Sequence, residues 1–452
     1  MRKALAITGL LLVGLAPQTA SAEEKELTLY SPPVKTLPYV HDTHVLELRA
    51  NGTEAPDKPG FVTGVTEQVL VDSKDPDAKP LGNARMMIHH LLYFAPGRTE
   101  AHTGSCWGGA GFITGRGEEH PEGDFDFIPP DQRAIYGIEN RRADGTAPNW
   151  RLVAMVMNHV KKPKTVYVRT KVKYTEEERT PVHPTVVGCR NAGNGMAYDV
   201  PGGGPRGSNF VDASTWTSPV SGRILLAASH QHGGAKRQTL SSDTCNRGLF
   251  NANVYHGTPD HIYNTIRPIL HEPGPIANGT FGTKQGVPLR EGEVLRRRAV
   301  HDNHNLHVAS MGFWVLQIVK DDSVAQCGPM PDDIRELRRP KRFDKTPNHD
   351  LRVPQLDKPT GAFAAFTGGP ITVADDYFRP GKLEVKRGEA VTWEFKGSKP
   401  HTVTVANGPR GFSSLYSGQV RGGHTFNFDV PGTYRLTCLV HPTTMGQTVK
   451  VR

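Results

Sequence analysis

A thiolate, an imidazole and a thioether stand within eight residues at Cys438-Leu-Val-His441-Pro-Thr-Thr-Met445. They follow an alternating run in which Tyr434, Leu436 and Cys438 share one strand face. The alternation predicts an extended strand that ends at the cysteine, with the histidine and methionine in the loop after it. A second imidazole, His401, opens another alternating run, His401-Thr-Val-Thr-Val405. Two histidines, one cysteine and a weak axial methionine form the ligand set of a blue-copper electron-transfer site. The plainer reading is a buried cysteine and methionine in a β core with two surface histidines. It requires four donors to fall in ligand order by accident. The rest of the chain is therefore expected to supply or receive electrons.

At 452 residues the chain exceeds what one core accommodates, and three domains are expected. Its 48 glycines and 36 prolines favour turns and short strands over long helices, which makes the expected fold class all-β. Residues 1–22 read as an export signal. Arg2 and Lys3 precede an apolar run from Ala4 to Ala16, and Ala20-Ser-Ala22 offers a small-residue cleavage site. The apolar run is too short for a permanent span and no later segment reads as one, so an exported, periplasmic or secreted protein without a membrane span is expected. The formal charge of +9 is dispersed among acids. Its densest patch, Arg335-Glu-Leu-Arg-Arg-Pro-Lys-Arg342, lacks interleaved aromatics, so it reads as a solvated linker or a docking surface for an acidic electron donor rather than a nucleic-acid contact. Of five cysteines, Cys438 is assigned to the metal. Cys106, Cys189, Cys245 and Cys327 are left to form disulfides in one of three pairings, among which the sequence does not choose.

Along the chain, alternating runs predict strands at Phe61–Val71, Ala84–Phe94, Trp150–His159 and Thr165–Tyr174, then at Arg223–His232 and up to Val319. The expected division is a first β-sandwich at 23–178, a second at 179–327, a Pro- and charge-rich linker at 328–369 and a final β domain at 370–452. The strands of the first two regions carry His89-His90, a lone His159, His230-Gln-His232 and Met311. His230 and His232 share a strand face and suit one metal. Adjacent His89 and His90 point to opposite faces of a regular strand, and meet one metal only where a ring swings round or the strand bulges.

This ordered set, a His-His pair in an apolar strand, a lone His, a His-x-His pair and a Met at the head of a final strand, resembles the copper type II, ascorbate-dependent monooxygenases. That is the family of peptidylglycine α-hydroxylating monooxygenase and dopamine β-monooxygenase. The segments Met87-Ile-His89-His90-Leu-Leu-Tyr-Phe94, Met155-Val-Met-Asn-His159 and Met311-Gly-Phe-Trp-Val-Leu carry the resemblance, which spans about Glu47 to Lys320. Phe61-Val-Thr-Gly-Val65 and His307-Val-Ala-Ser-Met311-Gly also resemble the stress-up-regulated nodulin-like branch. The C-terminal region separately resembles plastocyanin, pseudoazurin and amicyanin. The resemblances imply two jelly-roll-like sandwiches, with coppers facing each other across a solvent cleft, followed by a Greek-key cupredoxin sandwich.

By resemblance, His89, His90 and His159 hold an electron-transfer copper, and His230, His232 and Met311 hold the oxygen-activating one. With the blue centre at His401, Cys438, His441 and Met445, that makes one type I and two type II coppers. The implied function is hydroxylation of a C–H bond of an organic substrate by O2. Electrons would come from an external donor through the fused cupredoxin. Peptide-hydroxylating members carry an arginine two residues before the His-x-His pair, where this chain has Ala228, which argues against a peptide C-terminus as substrate. His304 and His307 stand near Met311 and remain alternatives to it as ligands. The principal alternative is a non-catalytic copper-binding electron-transfer protein. A scaffold whose histidines bind no metal tightly is another. A multicopper oxidase or nitrite-reductase-like enzyme is disfavoured because only one His-x-His pair is present.

Overall fold

The structure, a computed structural model, describes residues 24–98, 106, 111–117, 128–189, 196–337, 340–347, 357–414 and 423–452; the expected export segment 1–22 lies outside them. The fold is all-β. Among the described residues the one α-helix is the four-residue Ile262–Thr265, and no helix is long and apolar enough to cross a membrane.

In the first sandwich a four-stranded sheet, His41–Leu48, Trp150–Asn158, Met86–Phe94 and Phe112–Gly117, packs on a sheet built around Gly60–Val71 and Lys164–Thr175. Trp150, Leu152, Leu91, Tyr93, Val62 and Leu70 fill the space between them. The second sandwich sets the sheet of Thr180–Val187, His307–Lys320, Gly222–Gln231 and Thr280–Leu289 against a five-stranded sheet, with Trp314, Leu316, Leu240 and Phe250 between. A short parallel pairing, Thr180 to Tyr136 and Pro181 to Gly137, makes one continuous sheet out of one layer from each sandwich.

Within the stretch read as a linker, Arg335–Glu336 pairs with the strand Thr280–Leu289 and the Phe343 ring packs edge-on against Tyr255 at 4.7 Å. The C-terminal domain has two sheets of five and four strands around Trp393, Val391, Phe428, Tyr434, Leu436 and Val449. The structure also resolves the cysteine pairing that the sequence leaves open. Cys106 bonds Cys189, joining the two sandwiches, and Cys245 bonds Cys327.

The interface between the sandwiches follows from strand periodicity. On Met86–Phe94, Leu92 and Phe94 face outward; on Gly222–Gln231, Leu226 and Ala228 do; on His307–Lys320, Phe313 and Val315 do. These side chains form one apolar cluster with Phe112. The same outward faces, continued by two residues along each strand, carry His90 and His230. The apolar contact that presses the sandwiches together thus runs directly into histidines.

Candidate metal centres

In the C-terminal domain, paired strands Gly432–Thr437 and Gly446–Val451 align Thr437 opposite Gly446. The eight residues between them must therefore close as a hairpin loop, and that loop is the Cys438–Met445 motif. Its backbone folds back on itself: Met445 N–H donates to His441 O at 3.1 Å, and Thr437 Oγ1 donates to Pro442 O at 3.3 Å. His401 sits just before the strand Thr404–Asn407. Its Nε2–H donates to Asp375 Oδ1 at 3.0 Å, so Nδ1 carries the lone pair that faces the sulfur. Hydrogen bonds from Ser398 Oγ and the Lys399 N–H, then from His401, hold Asp375 well below the usual carboxylate range.

Cys438 Sγ lies 3.9 Å from His401 Nδ1 and 3.7 Å from His441 Nδ1. A metal bonded to thiolate at about 2.3 Å and to imidazole at about 2.0 Å, the lengths known for zinc, separates those atoms by roughly 3.8 Å at a trigonal angle. The donors fit a metal. Cys438 and Met445 are both fully buried, and His401 and His441 are buried as well. Burial pushes the Cys438 thiol up and, with the neighbouring His401, holds His441 down to about 4. A cation bound among these donors would reverse the first effect by stabilising the thiolate.

The histidines of the two sandwiches converge as well. The pairing of Met86–Phe94 with Trp150–Asn158 slips between Ile88 and His90, a β-bulge at His89. Before it, Met86 and Ile88 face the sandwich core; after it, Leu91 and Tyr93 do. That change of phase leaves His89 and His90 together on the outer face, with their Nδ1 atoms 3.0 Å apart. His90 Nε2 lies 3.2 Å from His230 Nε2 and 3.3 Å from His232 Nε2. Two imidazoles on one ion, with metal–nitrogen distances of about 2.0–2.1 Å, put their nitrogens about 3.3 Å apart at a tetrahedral angle. His90 therefore stands at ligand spacing from each of His230 and His232, although they come from different sandwiches. His89, His90 and His232 also offer nitrogens that all lie within 4.8 Å of one another.

This departs from the expected grouping of His89, His90 and His159 across a solvent cleft from His230, His232 and Met311. The apolar faces close the gap, and the histidines beside them are buried. His159 is buried at the end of its strand with Nδ1 3.1 Å from Asn83 O. It is close enough to His271 for their charges to interact. Met311 is half-buried and packs among the interface residues. It precedes Phe313 by two residues on the same strand face, and Phe313 stacks on His230 at 4.5 Å.

The alternatives to Met311 have other partners. His304 is exposed with Nδ1 3.0 Å from Gly204 O. His307 has Nδ1 2.7 Å from Glu272 Oε1 and Nε2 3.7 Å from Asp302 Oδ2. Burial opposes its charge, but the two carboxylates outweigh burial and raise His307 to about 9. Gly234, at φ +73, permits this packing, since a Cβ there would collide with the His307 ring.

Sequence reasoning missed two members of the cluster. The His41 ring lies 4.8 Å from that of His89, and His271 lies 4.9 Å from it. His41 enters because its strand pairs with Trp150–Asn158, placing it opposite Met157. The loop carrying His271 is seated by Leu270, which packs with Met87 and Met157. Neither residue belongs to a spacing motif, so only long-range packing marks them. Burial, and then neighbouring imidazoles, hold His89 and His90 well below the ordinary histidine range. Burial lowers His41 to about 4 and His271 to about 3. These rings are neutral at pH 7, the state in which imidazole binds metal.

Two buried imidazoles, a thiolate and a thioether on a β-sandwich define the C-terminal domain as a cupredoxin, a copper electron-transfer domain. Amicyanin-alpha from Methylorubrum extorquens is 31% identical over 81 residues, which make up 18% of this chain and 68% of that protein. Through this domain the chain belongs to the amicyanin family. Similar solved structures include an oxidised amicyanin variant (26% identity, 20% of this chain and 90% of that chain, TM-score 0.17). A purple cupredoxin from Nitrosopumilus maritimus is 27% identical, over 17% of this chain and 82% of that one, with a TM-score of 0.15. A copper-containing nitrite reductase from Thermus scotoductus is 17% identical, over 54% of this chain and 57% of that one, with a TM-score of 0.15. No protein-family model matches the chain.

Proposed function

We propose that the chain is an exported copper-dependent monooxygenase that hydroxylates a C–H bond of an organic substrate with O2, its electrons entering through the fused cupredoxin. The observation that carries this reading is the approach of His90 to His230 and His232 from opposite sandwiches at metal-ligand spacing, beside a docked electron-transfer domain. Copper bound there would supply one-electron chemistry with O2. Incorporating one oxygen atom into substrate and reducing the other to water consumes two electrons and two protons. A fused donor domain meets the electron requirement. The two disulfides support an oxidising compartment such as the periplasm or the exterior.

The docking of the cupredoxin supports the relay. Thr402 N–H donates to Cys438 Sγ at 3.4 Å. Two residues on, Thr404 Oγ1 and Ser413 Oγ are 2.8 Å apart. Ser413 N–H then donates to Asp199 Oδ2 at 2.8 Å, and Asp199 Oδ1 accepts the Ala309 N–H at 2.9 Å. Ala309 leads along its strand to Met311 and to Phe313, which stacks on His230. Covalent and hydrogen bonds thus run from the Cys438 sulfur to the strand of Ala309 and Phe313, and the Phe313 ring contacts His230.

The test uses the copper-loaded chain, isotopically labelled O2 and candidate organic substrates, with product read by mass spectrometry. Label in product after a single turnover of pre-reduced protein supports the reading. Cys438→Ser should keep that single turnover yet lose repeated turnover from a protein donor. If repeated turnover survives the substitution, the relay is wrong. If no label enters product while Cys438 still exchanges electrons, the chain is an electron carrier, the reading that the amicyanin relationship favours.

A further inference from the structure

We infer that His41 and His271, which belong to none of the sequence motifs, join His89 in a second metal position placed directly against the one formed by His90, His230 and His232. The two sandwiches would then close on one dinuclear copper centre, not two separated ones. The inference rests on the reading that the sandwich histidines bind copper, and it goes further in naming ligands and the relation between ions.

Three observations carry it. First, ring spacing is uniform across the cluster. His90 to His230 and His90 to His232 measure 5.1 and 5.2 Å between ring centres, the pairs whose nitrogens stand at ligand distance. His41 to His89 and His89 to His271 measure 4.8 and 4.9 Å, which is slightly tighter. Rings so close repel through their lone pairs unless a proton or a cation lies between them.

Second, His41 is buried with 6% of its surface exposed, and its Nε2 has no hydrogen-bond partner among the described residues. A buried polar nitrogen left unpaired costs about 1–3 kcal/mol, and a metal ion removes that cost. Third, His271 Nδ1 hydrogen-bonds the Glu272 carbonyl oxygen, which fixes Nε2 as the nitrogen bearing the lone pair. That is the usual support for a metal-bound imidazole.

The two positions are contiguous. His89 and His90 are chain neighbours on the bulge with Nδ1 atoms 3.0 Å apart, and the His89 and His232 rings are 5.3 Å apart. No side chain other than these imidazoles is needed to connect them. Copper fits better than a hard cation because every donor is nitrogen.

The experiment measures copper per chain by elemental analysis and records the spin-resonance spectrum of the fully oxidised, full-length protein. Three coppers per chain are expected, with the blue centre as an isolated spin and a half-field transition from a coupled pair. His41→Gln and His271→Gln should each lower the content from three coppers to two, abolish the half-field transition and leave the blue absorbance intact. Three independent spins in the unaltered protein, with no half-field signal, would overturn the dinuclear arrangement while leaving copper binding in the sandwiches standing. A substitution that keeps both the third copper and the half-field signal overturns the role of its residue. A single copper per chain, at Cys438, overturns the underlying copper reading as well.

Discussion

Replacing Asp199 with alanine should release the cupredoxin from the second sandwich while leaving both folded. One carboxylate receives two backbone N–H groups from different domains, Ala309 at 2.9 Å and Ser413 at 2.8 Å. Hydrogen bonds to a charged acceptor contribute about 1.5–3 kcal/mol each. Asp199 is only half-buried, so water replaces part of that loss, and the net cost is taken as about 1.5–3 kcal/mol for the pair. That range corresponds to a shift of roughly 10- to 150-fold in the docking equilibrium. Amide hydrogen exchange reads it directly. Ser413 and the neighbouring Gly411, whose N–H donates to Pro201 O at 2.9 Å, should exchange faster by that factor. The Thr448 amide, bonded to Gly381 O within the cupredoxin, should not change. Asp199→Asn should fall between, since its single carbonyl serves one N–H while its amide group faces the other. If Ser413 keeps its protection in Asp199→Ala, the carboxylate does not hold the domains together and the proposed electron route through it fails.

Gly411→Ala should loosen the same interface from the other side, because a Cβ would stand 2.8 Å from Leu306 Cβ and 3.1 Å from Val308 Cγ1; a cost of about 1–3 kcal/mol is expected, seen as slower electron transfer out of the blue centre after rapid photoreduction. Removing the Cys106–Cys189 bond with Cys106→Ser frees an 83-residue separation in the unfolded chain, which on chain-entropy grounds costs about 4.5 kcal/mol and should lower the denaturation midpoint without shifting the blue absorbance. His307 supplies a pH signature. Its folded value, about 9, lies above the unfolded value near 6.5, so its stabilising contribution is complete below about pH 6.5 and is lost as pH rises through about 9. Thermal midpoints should accordingly fall on the alkaline side in the parent protein, and His307→Gln should flatten that fall. An equally steep alkaline decline in both proteins would show that another group is responsible.

The C-terminal centre is legible in the sequence because its determinants are local. A strand that alternates through Tyr434, Leu436 and Cys438 must end where its partner begins, and the intervening loop brings His441 and Met445 back to the sulfur. Chemistry restricts the rest, since few ions take that donor set. Strand identity in the two sandwiches is readable for the same reason: side chains alternate with a period of two wherever one face is buried. Alternation does not say where the phase slips. The bulge that puts His89 and His90 on one face, the pairing of Cys106 with Cys189, and the closing of the expected cleft by Leu92, Phe94, Ala228 and Phe313 are decided by packing between distant strands. His41 and His271 illustrate the limit most plainly. They reach His89 from 48 residues before it and 182 after it, and what seats them is a register opposite Met157 and a contact of Leu270 with Met87. Sequence alone determined the local thiolate–imidazole–thioether motif and the alternation of the strands; tertiary closure decided which of the distant histidines meet, because only the folded interface sets the distances between side chains that the chain keeps far apart.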